Sequence, residues 1–527
     1  MTAKRERIII LGAGVMQGPA INIAKEMGLF TIVLDGDPGA PCVPLADRFE
    51  HIDLKDKEGV EAFALSLLKD GGLAGIMTAG TDFSATVAWT AERLGLPGIP
   101  YEAALNASDK GRMRRCFDAA GIPSPAFTVT GKDESFTIPA PFPLVVKPVD
   151  NMGARGCRRV DTEAELEEAL AGGIKYSRSG RVIVEAYMEG PEFSVDAIVY
   201  KGEIIICGLA DRHIFFPPYF IEMGHTMPTA FPPAEQEKLL DCFRAAVRSL
   251  GIAEKNCIGA AKGDVKLTPG GPMIGEVAAR LSGGYMSGWT YPYSSGAEPV
   301  RTAIEIAAGR EPRGLKPLKS WTSAERAFIS IPGKVKSIEG LEKARNTPHV
   351  KDIFLRIAKD FPVSFPVNNV SKCGNVISAA ENREDACRAA EEAARSILIH
   401  LETPNAETSA FLSAFPASKG NEGSFPPGAF ILDRELKAAL ESLPSGIVPG
   451  KSSPGKVNIY PFFAFLDSGL GDYMGRSVAE SLEALRALSG LSLPVGTGEP
   501  FLGKEFWRSF IRGGYQGAAY YLDTLGT

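Results

Sequence analysis

One stretch of the sequence, residues 256–284, limits the possible folds more than any other. Two largely apolar runs flank the turn-forming residues 268–272, Thr-Pro-Gly-Gly-Pro, and this pattern predicts an antiparallel β-hairpin. Folding the hairpin about Gly270 places Asp264 opposite Glu276. Two facing carboxylates repel each other unless a cation lies between them, and Mg²⁺ binds such oxygen ligands together with phosphates. The hairpin therefore predicts a Mg²⁺ site, with a solvent-facing hairpin of scattered charges as the alternative.

Strand periodicity adds basic residues to the face that carries these carboxylates. Lys262 lies two residues before Asp264 and is predicted to face Ala278, while Arg280 lies two pleats beyond Glu276. An arginine at this position could hold a phosphoryl group during its transfer. The hairpin thus combines residue types that phosphoryl transfer requires.

Length, charge and cysteine content restrict the class of protein. A chain of 527 residues is too long for one core, so roughly three or four structural units are expected. A net charge of −6 argues against nucleic acid or an anionic membrane as the main partner. No stretch approaches the length of a transmembrane helix, and the first apolar run leads into a glycine turn instead of a cleavage site, so we expect a cytoplasmic protein. The eight cysteines contain no CxxC pair and predict neither a zinc site nor a disulfide framework.

The first hundred residues predict a small, mostly parallel α/β sheet. A strand leads into the turn Gly12-x-Gly14-x-x-x-Gly18, which could present backbone N–H groups to an anion, and Asp35 ends the second strand as the ribose-binding acid of an NAD site would. The glycine spacing is one residue longer than the dinucleotide fingerprint, so a tight strand-to-helix turn is the alternative. Residues 78–82 follow a strand end, where such sheets bind ligands, and could contact substrate.

A second glycine-rich loop follows an apolar strand. Lys147 lies on that strand, directly before the loop that contains Gly153 and Gly156. One fixed positive charge beside free backbone donors suits a phosphate chain. The alternative is an edge-strand lysine before a hairpin turn.

Two further segments carry candidate ligand contacts. Residues 185–188 leave a buried strand and could offer a backbone edge to a purine ring, while Glu192 could accept hydrogen bonds from ribose hydroxyls. The aromatic and proline-rich residues 211–228 predict a long functional loop with Arg212, Glu222 and the candidate catalytic residue His225. A lone histidine is more often structural, and that alternative stays open.

Taken in order, these features resemble the ATP-grasp superfamily, preceded by its usual α/β N-terminal domain. The resemblance covers about residues 5–400 and rests on Lys110 in an Asp-Lys helix, Lys147, the segment VEAYMEGPE, Asp264, and the run from Glu276 to Arg280. It implies ATP and Mg²⁺ as cofactors. The residues that it assigns to ATP are Lys110, Lys147, Gly153, Gly156, Glu185, Ala186, Met188 and Glu192; those for Mg²⁺ are Asp264 and Glu276; and those for catalysis are Arg280 and Lys147.

One position departs from the family pattern. The family often has an asparagine as a third metal ligand two residues after the second acid, where this chain has Ala278. This departure predicts weaker binding or loss of a second metal ion unless a water or Lys262 compensates. The resemblance also implies that the N-terminal glycine turn serves a carboxylate substrate instead of NAD.

In the remainder of the chain, one segment resembles a known subdomain and the following one does not. Residues 324–400 resemble the C-terminal subdomain of L-amino-acid ligases, with a helix predicted over 382–401, and no biotinylation site is present. The stretch 402–427 predicts a linker or an exposed loop, followed by a strand over 457–466 and a helix over 478–489. Residues 446–452 resemble a phosphate-binding loop but are one residue short between the glycines.

The predicted fold class is α/β: a doubly wound parallel-sheet domain, an ATP-grasp fold of two α+β subdomains, and an unrecognised α+β extension. The predicted boundaries are 1–105, 106–320, 321–404 and 405–527. The expected function is ATP-dependent ligation of a small carboxylate to an amine through an acyl phosphate, with a homodimer as one open arrangement. The alternatives are a carboxylase or amidotransferase acting on a nucleotide precursor, a catalytically inactive nucleotide-binding relative and, least favoured, an NAD-dependent oxidoreductase.

Overall fold

The structure of the protein is a computed structural model, and it describes residues 5–70, 72–414, 425–447, 457–496 and 501–526. The chain divides into two compact units. The first consists of Met1–Ile214, Gly224–Glu325 and Ala379–Ala386, and the second of Phe215–Met223, Arg326–Ser378 and Cys387–Thr527. The domain boundaries predicted from the sequence stay predictions.

A parallel four-stranded sheet opens the first unit, as the sequence predicts. Its elements are β1 (Arg7–Leu11), α1 (Gly18–Glu26), β2 (Phe30–Asp35), β3 (Arg48–His51), α2 (Lys57–Lys69), β4 (Gly75–Thr78) and α3 (Ser84–Leu94). The strand order is β3-β2-β1-β4, and the pairing is parallel throughout. Because helices cover both faces, the central strand is an unbroken apolar run that is fully buried from Ile8 to Leu11.

An antiparallel sheet with its own core follows. The elements are α4 (Tyr101–Ser108), α5 (Lys110–Ala120), β5 (Phe127–Gly131), β6 (Leu144–Pro148), β7 (Arg158–Val160), α6 (Glu163–Tyr176) and β8 (Arg181–Ala186). The strand order is β5-β8-β6-β7. Asp109 begins α5 by accepting a hydrogen bond from the Arg112 N–H at 2.7 Å, and Gly121 ends it with φ = 66°.

The remaining strands of the first unit belong to a larger sheet. Its elements are β9 (Glu192–Tyr200), β10 (Glu203–Phe215), β11 (Ile221–Met227), α7 (Pro233–Ser249), β12 (Ile258–Thr268), β13 (Gly271–Ala278), a π-helical turn (Met286–Thr290), α8 (Tyr291–Ser295), α9 (Pro299–Ala307) and β14 (Thr322–Phe328). Strands β13, β12, β9, β10 and β11 are neighbours in that order, and the first four pair antiparallel. This sheet carries the predicted hairpin, β12–β13.

The second unit joins short sheets to a mostly helical end. Its elements are β15 (Gly333–Glu339), α10 (Leu341–Arg345), β16 (Val350–Leu355), β17 (Pro362–Val363), β18 (Gly374–Ala380), α11 (Arg383–Ser396), β19 (Leu398–Leu401), α12 (Ala406–Ser413), α13 (Arg434–Glu441), β20 (Asn458–Ile459), α14 (Phe463–Leu466), α15 (Val478–Ser489), β21 (Phe501–Leu502) and α16 (Lys504–Thr524). Helix α16 breaks at Gly514 and packs on β19, where Tyr515 Oη accepts a hydrogen bond from the Ile399 N–H at 2.9 Å. The terminal helix is therefore part of this unit's core.

Four predictions of local structure are wrong. Residues 211–228 form the end of β10 and the whole of β11 instead of a long loop, because the connection between the two strands is only residues 216–220, Phe-Pro-Pro-Tyr-Phe. The helix predicted over 382–401 ends at Ser396, where a buried apolar run begins β19. The strand predicted over 457–466 is two residues long, because Phe462 and Phe465 turn inward to pack on Trp507. The linker predicted over 402–427 contains α12, and its residues 415–424 lie outside the described residues.

Two further statements concern only part of the chain. Residues 448–452 of the loop that resembles a phosphate-binding loop also lie outside the described residues. Across the residues that the structure does describe, no helix is both long and apolar enough to cross a membrane.

Candidate active site

The hairpin register brings the two predicted metal ligands together. Asp264 pairs with Glu276, and Lys262 pairs with Ala278, as the sequence predicts. The turn itself is tighter than the predicted fold about Gly270, because the outermost pair of residues is Thr268 with Gly271. A bulge at Gly275 inserts one extra residue, and this insertion restores the predicted register at the carboxylates.

Asp264 lies in a dense set of polar contacts. Its side chain is 9% exposed, and Oδ1 accepts a hydrogen bond from Ser194 Oγ at 3.0 Å. Oδ2 forms ion pairs with Lys262 and with Arg212, whose Nη1 lies 3.2 Å away. Ser194 is the residue opposite Asp264 on β9, so sheet register fixes this arrangement. These contacts therefore hold the Asp264 carboxylate in place on this face of the hairpin.

Glu276 is held by cations from a different element. Lys110, at the start of α5, places Nζ 3.2 Å from Glu276 Oε1. Although burial would raise the pKa of Glu276, the charges of Lys110 and then Lys262 hold that pKa below its ordinary value. Two facing carboxylates fit Mg²⁺, which usually takes one or two carboxylates and completes its shell with phosphate and water. Within the described ranges, no group of three or more His, Cys, Asp or Glu side chains could hold a metal ion, so the site has only these two carboxylates.

The predicted phosphate-binding lysines approach one loop. Lys110 Nζ donates a hydrogen bond to the Asn151 carbonyl at 2.8 Å, and Lys147 lies on β6, which leads into the same loop. Gly153 and Gly156 both have positive φ, 69° and 68°, a conformation that side chains rarely adopt. At Gly156 a Cβ would also lie 3.0 Å from Pro148 and Tyr176 atoms. The loop geometry therefore requires both glycines.

Glu185 is a buried counter-ion as well as a predicted nucleotide contact. It is 1% exposed, with Lys147 Nζ 2.7 Å from Oε2 and Arg114 Nε 2.7 Å from Oε1. Burial would raise the pKa of Glu185, but Arg114 and Lys147 outweigh burial and lower it to about 2. Glu185 therefore fixes the position of Lys147.

Arg114 is a site residue that sequence reasoning missed. It is 1% exposed on α5, and besides its pair with Glu185 its Nη2 donates a hydrogen bond to the Gly275 carbonyl at 2.7 Å. The Arg114 guanidinium thus links β8, the strand before the predicted hinge, to the bulge beside Glu276. Its spacing of four residues after Lys110, on the same helix face, was the available signal.

The predicted hinge begins at the end of β8, and the predicted ribose contact Glu192 begins β9. The Ala186 N–H donates to the Ala126 carbonyl at 2.9 Å, and the Met188 carbonyl accepts from Lys266 Nζ at 3.0 Å. Glu192 forms ion pairs with Arg212 and with Lys266, whose Nζ is 3.6 Å from Oε2. The ribose and adenine roles of these residues stay predictions.

The three candidate residues in 211–228 make different contacts. Arg212 joins Asp264 and Glu192 as described. His225 is 2% exposed and places Nδ1 3.0 Å from Oε2 of the equally buried Glu325. Glu222 belongs to the second unit, where its carbonyl accepts a hydrogen bond from Lys372 Nζ at 2.6 Å. The catalytic role predicted for His225 stays a prediction.

The N-terminal glycine turn meets the loop that carries Arg280. Gln17 accepts a hydrogen bond from the Gly14 N–H at 3.0 Å and donates one to the Ala79 carbonyl. Ala79 in turn forms a parallel bridge with Leu281. Arg280 Nη1 donates to the Leu281 carbonyl at 3.0 Å, while its buried Nε has no hydrogen-bond partner among the described residues. An unsatisfied buried donor is costly, so this guanidinium suits an anionic ligand.

Asp35 does not offer a free ribose contact. Its Oδ2 accepts a hydrogen bond from the Ala13 N–H at 2.7 Å, and its Oδ1 accepts one from the Asp37 N–H at 2.9 Å. The carboxylate therefore stabilises the glycine turn itself. The NAD-dependent oxidoreductase is also the least favoured alternative from the sequence.

Comparison with known proteins agrees with this geometry. A family model described as an ATP-grasp domain matches residues 140–286, and one described as L-amino acid ligase C-terminal domain 2 matches residues 327–402. The chain carries an ATP-grasp domain. The first match contains β12, β13 and the glycine-rich loop, and the second begins within β14.

Relatives and solved structures extend the comparison. Carnosine synthase 1 of Gallus gallus is 27% identical over 335 residues, 58% of this chain and 35% of that protein. D-alanine–D-alanine ligase of Marinobacter nauticus is 34% identical over 167 residues, 29% of this chain and 50% of that protein. The chain thus spans half or less of the length of these two ligases. An L-amino acid ligase structure from Bacillus licheniformis has a TM-score of 0.64 at 22% identity, over 76% of this chain and 100% of that one, and shows the same fold. In its domains and distant relatives, the chain is thus similar to ATP-grasp ligases that form carbon–nitrogen bonds.

Proposed function

We propose that the protein joins a small carboxylate, with amino acids as the first candidates, to an amine through an acyl phosphate, at the expense of ATP. The observation that carries the proposal is the cross-strand pair Asp264–Glu276, with Arg280 four residues after Glu276 and its buried Nε without a hydrogen-bond partner among the described residues. The named relatives, carnosine synthase and D-alanine–D-alanine ligase, support amino-acid substrates. Neither substrate follows from the fold alone.

Each residue of the site has a role in this reaction. Asp264 and Glu276 would hold Mg²⁺, which supplies neutralisation of the phosphate charges. Lys110 and Lys147 carry positive charge to the glycine-rich loop, and Glu185 orients Lys147. Catalysis of this kind is positioning and charge stabilisation, without an enzyme nucleophile.

The chemical step begins with attack by a substrate carboxylate oxygen on the γ-phosphorus of ATP. The bond between the γ-phosphorus and the bridging oxygen of ADP breaks, and an acyl phosphate forms. Arg280 stabilises the charge that develops on the transferred phosphoryl group, since no described residue accepts a hydrogen bond from its buried Nε. The amine then attacks the acyl carbon, phosphate leaves with the former carboxylate oxygen, and an amide forms.

Two alternatives differ in their support. A nucleotide-precursor enzyme would need a basic phosphate pocket at the N-terminal glycine turn, but the Gly14 N–H is satisfied by Gln17 and the acid Asp35 caps the turn. An inactive relative is favoured by Ala278, since Lys262 lies opposite this position and forms an ion pair with Asp264. Turnover distinguishes it from the proposed enzyme.

The test is phosphate release from Mg-ATP with amino acids and small carboxylates, with and without an amine. We expect release that requires metal, rises with one carboxylate and rises further with an amine. Glu276→Ala should reduce release to background without unfolding the protein, because it removes one of two metal ligands. Glu203→Ala, an exposed residue on the same sheet, is the matched control and should retain full release. Full turnover by Glu276→Ala would refute the metal assignment.

A further inference from the structure

A buried acid outside the predicted site supports the loop that carries Arg280. Asp196 lies on β9 and is 0% exposed. Its Oδ1 accepts a hydrogen bond from the Ser282 N–H at 2.8 Å, and its Oδ2 accepts a second, short one from Ser282 Oγ. One serine, two residues beyond Arg280, therefore engages both carboxylate oxygens.

The loop is restrained at this serine from several directions. The Ser282 carbonyl accepts a hydrogen bond from Ser287 Oγ at 2.7 Å, so all three polar groups of Ser282 are used. The preceding residue, Leu281, bridges to Ala79. Ser282 and the residue before it are thus fixed, and the side chain of Arg280, whose buried Nε has no partner in the part of the chain that the structure describes, extends from this backbone.

Sheet register connects this acid to the metal-binding carboxylates. Asp196 pairs with Lys262 across β9 and β12, and Ser194, two residues earlier, pairs with Asp264 and donates to it. Residues two apart on a strand share a face. One strand therefore supports both the predicted metal ligand and the loop of the predicted phosphoryl-binding arginine.

Burying Asp196 lowers the stability of the folded protein. Burial raises the pKa of Asp196 to about 6, although the Ser282 hydrogen bonds oppose the rise. A neutral side chain of the same shape would avoid this cost. Unfavourable local chemistry that persists in a fold is often found at functional sites.

We propose that Asp196 is a positioning residue that fixes the loop of residues 280–284 through Ser282 and thereby directs Arg280 at the transferring phosphoryl group. The inference rests on the proposed function, since it assigns Arg280 a role in that reaction. Asp196 acts through Ser282 and Arg280 and touches no reacting atom.

The test compares Asp196→Asn and Ser282→Ala with the control Asp47→Asn. Asp47 makes a related contact elsewhere: its Oδ2 accepts hydrogen bonds from the Thr31 N–H at 2.9 Å and from Thr31 Oγ1 at 3.0 Å, while its Oδ1 pairs with Arg5 at 3.0 Å. We expect Asp196→Asn to lower kcat for carboxylate-dependent phosphate release by about 10- to 100-fold, as small displacements of catalytic groups do, with KM for ATP within about twofold. Ser282→Ala, which keeps the backbone contact, should lower kcat less. Asp47→Asn should leave kcat and KM unchanged.

Each outcome has one reading. Absence of carboxylate-stimulated release by the unmodified protein would refute the proposed function, not the role of Asp196 alone. An active unmodified protein together with an Asp196→Asn variant as active as Asp47→Asn would overturn the inference. A parallel loss of kcat and ATP affinity, or a lower unfolding temperature for Asp196→Asn than for Asp47→Asn, would show a merely structural acid and would also overturn it. If Asp196→Asn fails to fold, unchanged kcat in Ser282→Ala is the refuting result.

Discussion

Replacing Glu185 by glutamine is expected to destabilise the first unit by about 3 kcal/mol at neutral pH. The carboxylate is 1% exposed and lies 2.7 Å from both Arg114 Nε and Lys147 Nζ. Glutamine has the same size but no charge, so both cations would stay buried without their counter-ion. The change therefore isolates the charge from the packing.

The magnitude follows from the pKa of this group. Arg114 and Lys147 outweigh burial and lower the pKa of Glu185 from 4.5 to about 2, which corresponds to about 3 kcal/mol at about 1.36 kcal/mol per pH unit. Removing one partner of a buried ion pair costs a similar amount, about 3–5 kcal/mol. Because the folded pKa is depressed, this stability is present above about pH 4.5 and is lost as the pH falls through about 2.

The assay is urea-dependent hydrogen exchange of peptides that cover β6 and β8, because exchange reports the stability of this region separately from the second unit. Glu134→Gln is the control: Glu134 forms a bidentate pair with Arg181 at 3.0 and 3.2 Å, but both side chains are over 40% exposed. Its loss should cost less than about 1 kcal/mol. Equal stabilities for the two variants, or an unmodified protein that keeps its full advantage over Glu185→Gln in strong acid, would refute the reasoning.

Two further predictions concern the carboxylate face. Ala278→Asn should lower the Mg²⁺ concentration needed for half-maximal phosphate release, because an amide oxygen would join Asp264 and Glu276 as a ligand; an unchanged requirement in a metal titration would contradict this. Burial raises the pKa of Asp196 to about 6 because it penalises the ionised acid and not the neutral one. The unmodified protein should therefore lose stability as the pH rises from about 4 to about 7, and Asp196→Asn should gain up to about 3 kcal/mol relative to it over this range. Thermal unfolding across this range checks it, and a constant difference between the two proteins would contradict it.

The sequence predicted much of the fold because its signals are local. The alternation of the hairpin strands and the turn residues between them were enough to place Asp264 opposite Glu276. Local signals gave the wrong prediction where distant packing determines the structure. Part of the apolar run at 457–466 forms a helical turn, because its aromatic side chains pack on Trp507, which is distant in the sequence.

The parts of the site that were missed depend on long-range contacts. Arg114 contacts the Gly275 carbonyl, which lies 161 residues later, and Asp196 contacts Ser282, which lies 86 residues later. The partner of each contact has no local sequence pattern, because a backbone carbonyl and a serine become partners only when the sheet brings them together. Sequence reasoning predicted groups for ligand contact and missed the residues that hold those groups in place.

The central claim is that a substrate carboxylate attacks ATP to form an acyl phosphate in this site. The most direct measurement uses the carboxylate substrate found in the phosphate-release assay, labelled in both carboxylate oxygens with oxygen-18, and analyses the released phosphate by mass spectrometry. The mechanism predicts one labelled oxygen in each phosphate, because the attacking oxygen leaves with the phosphorus. Phosphate without label, released in step with amide formation, would contradict the claim.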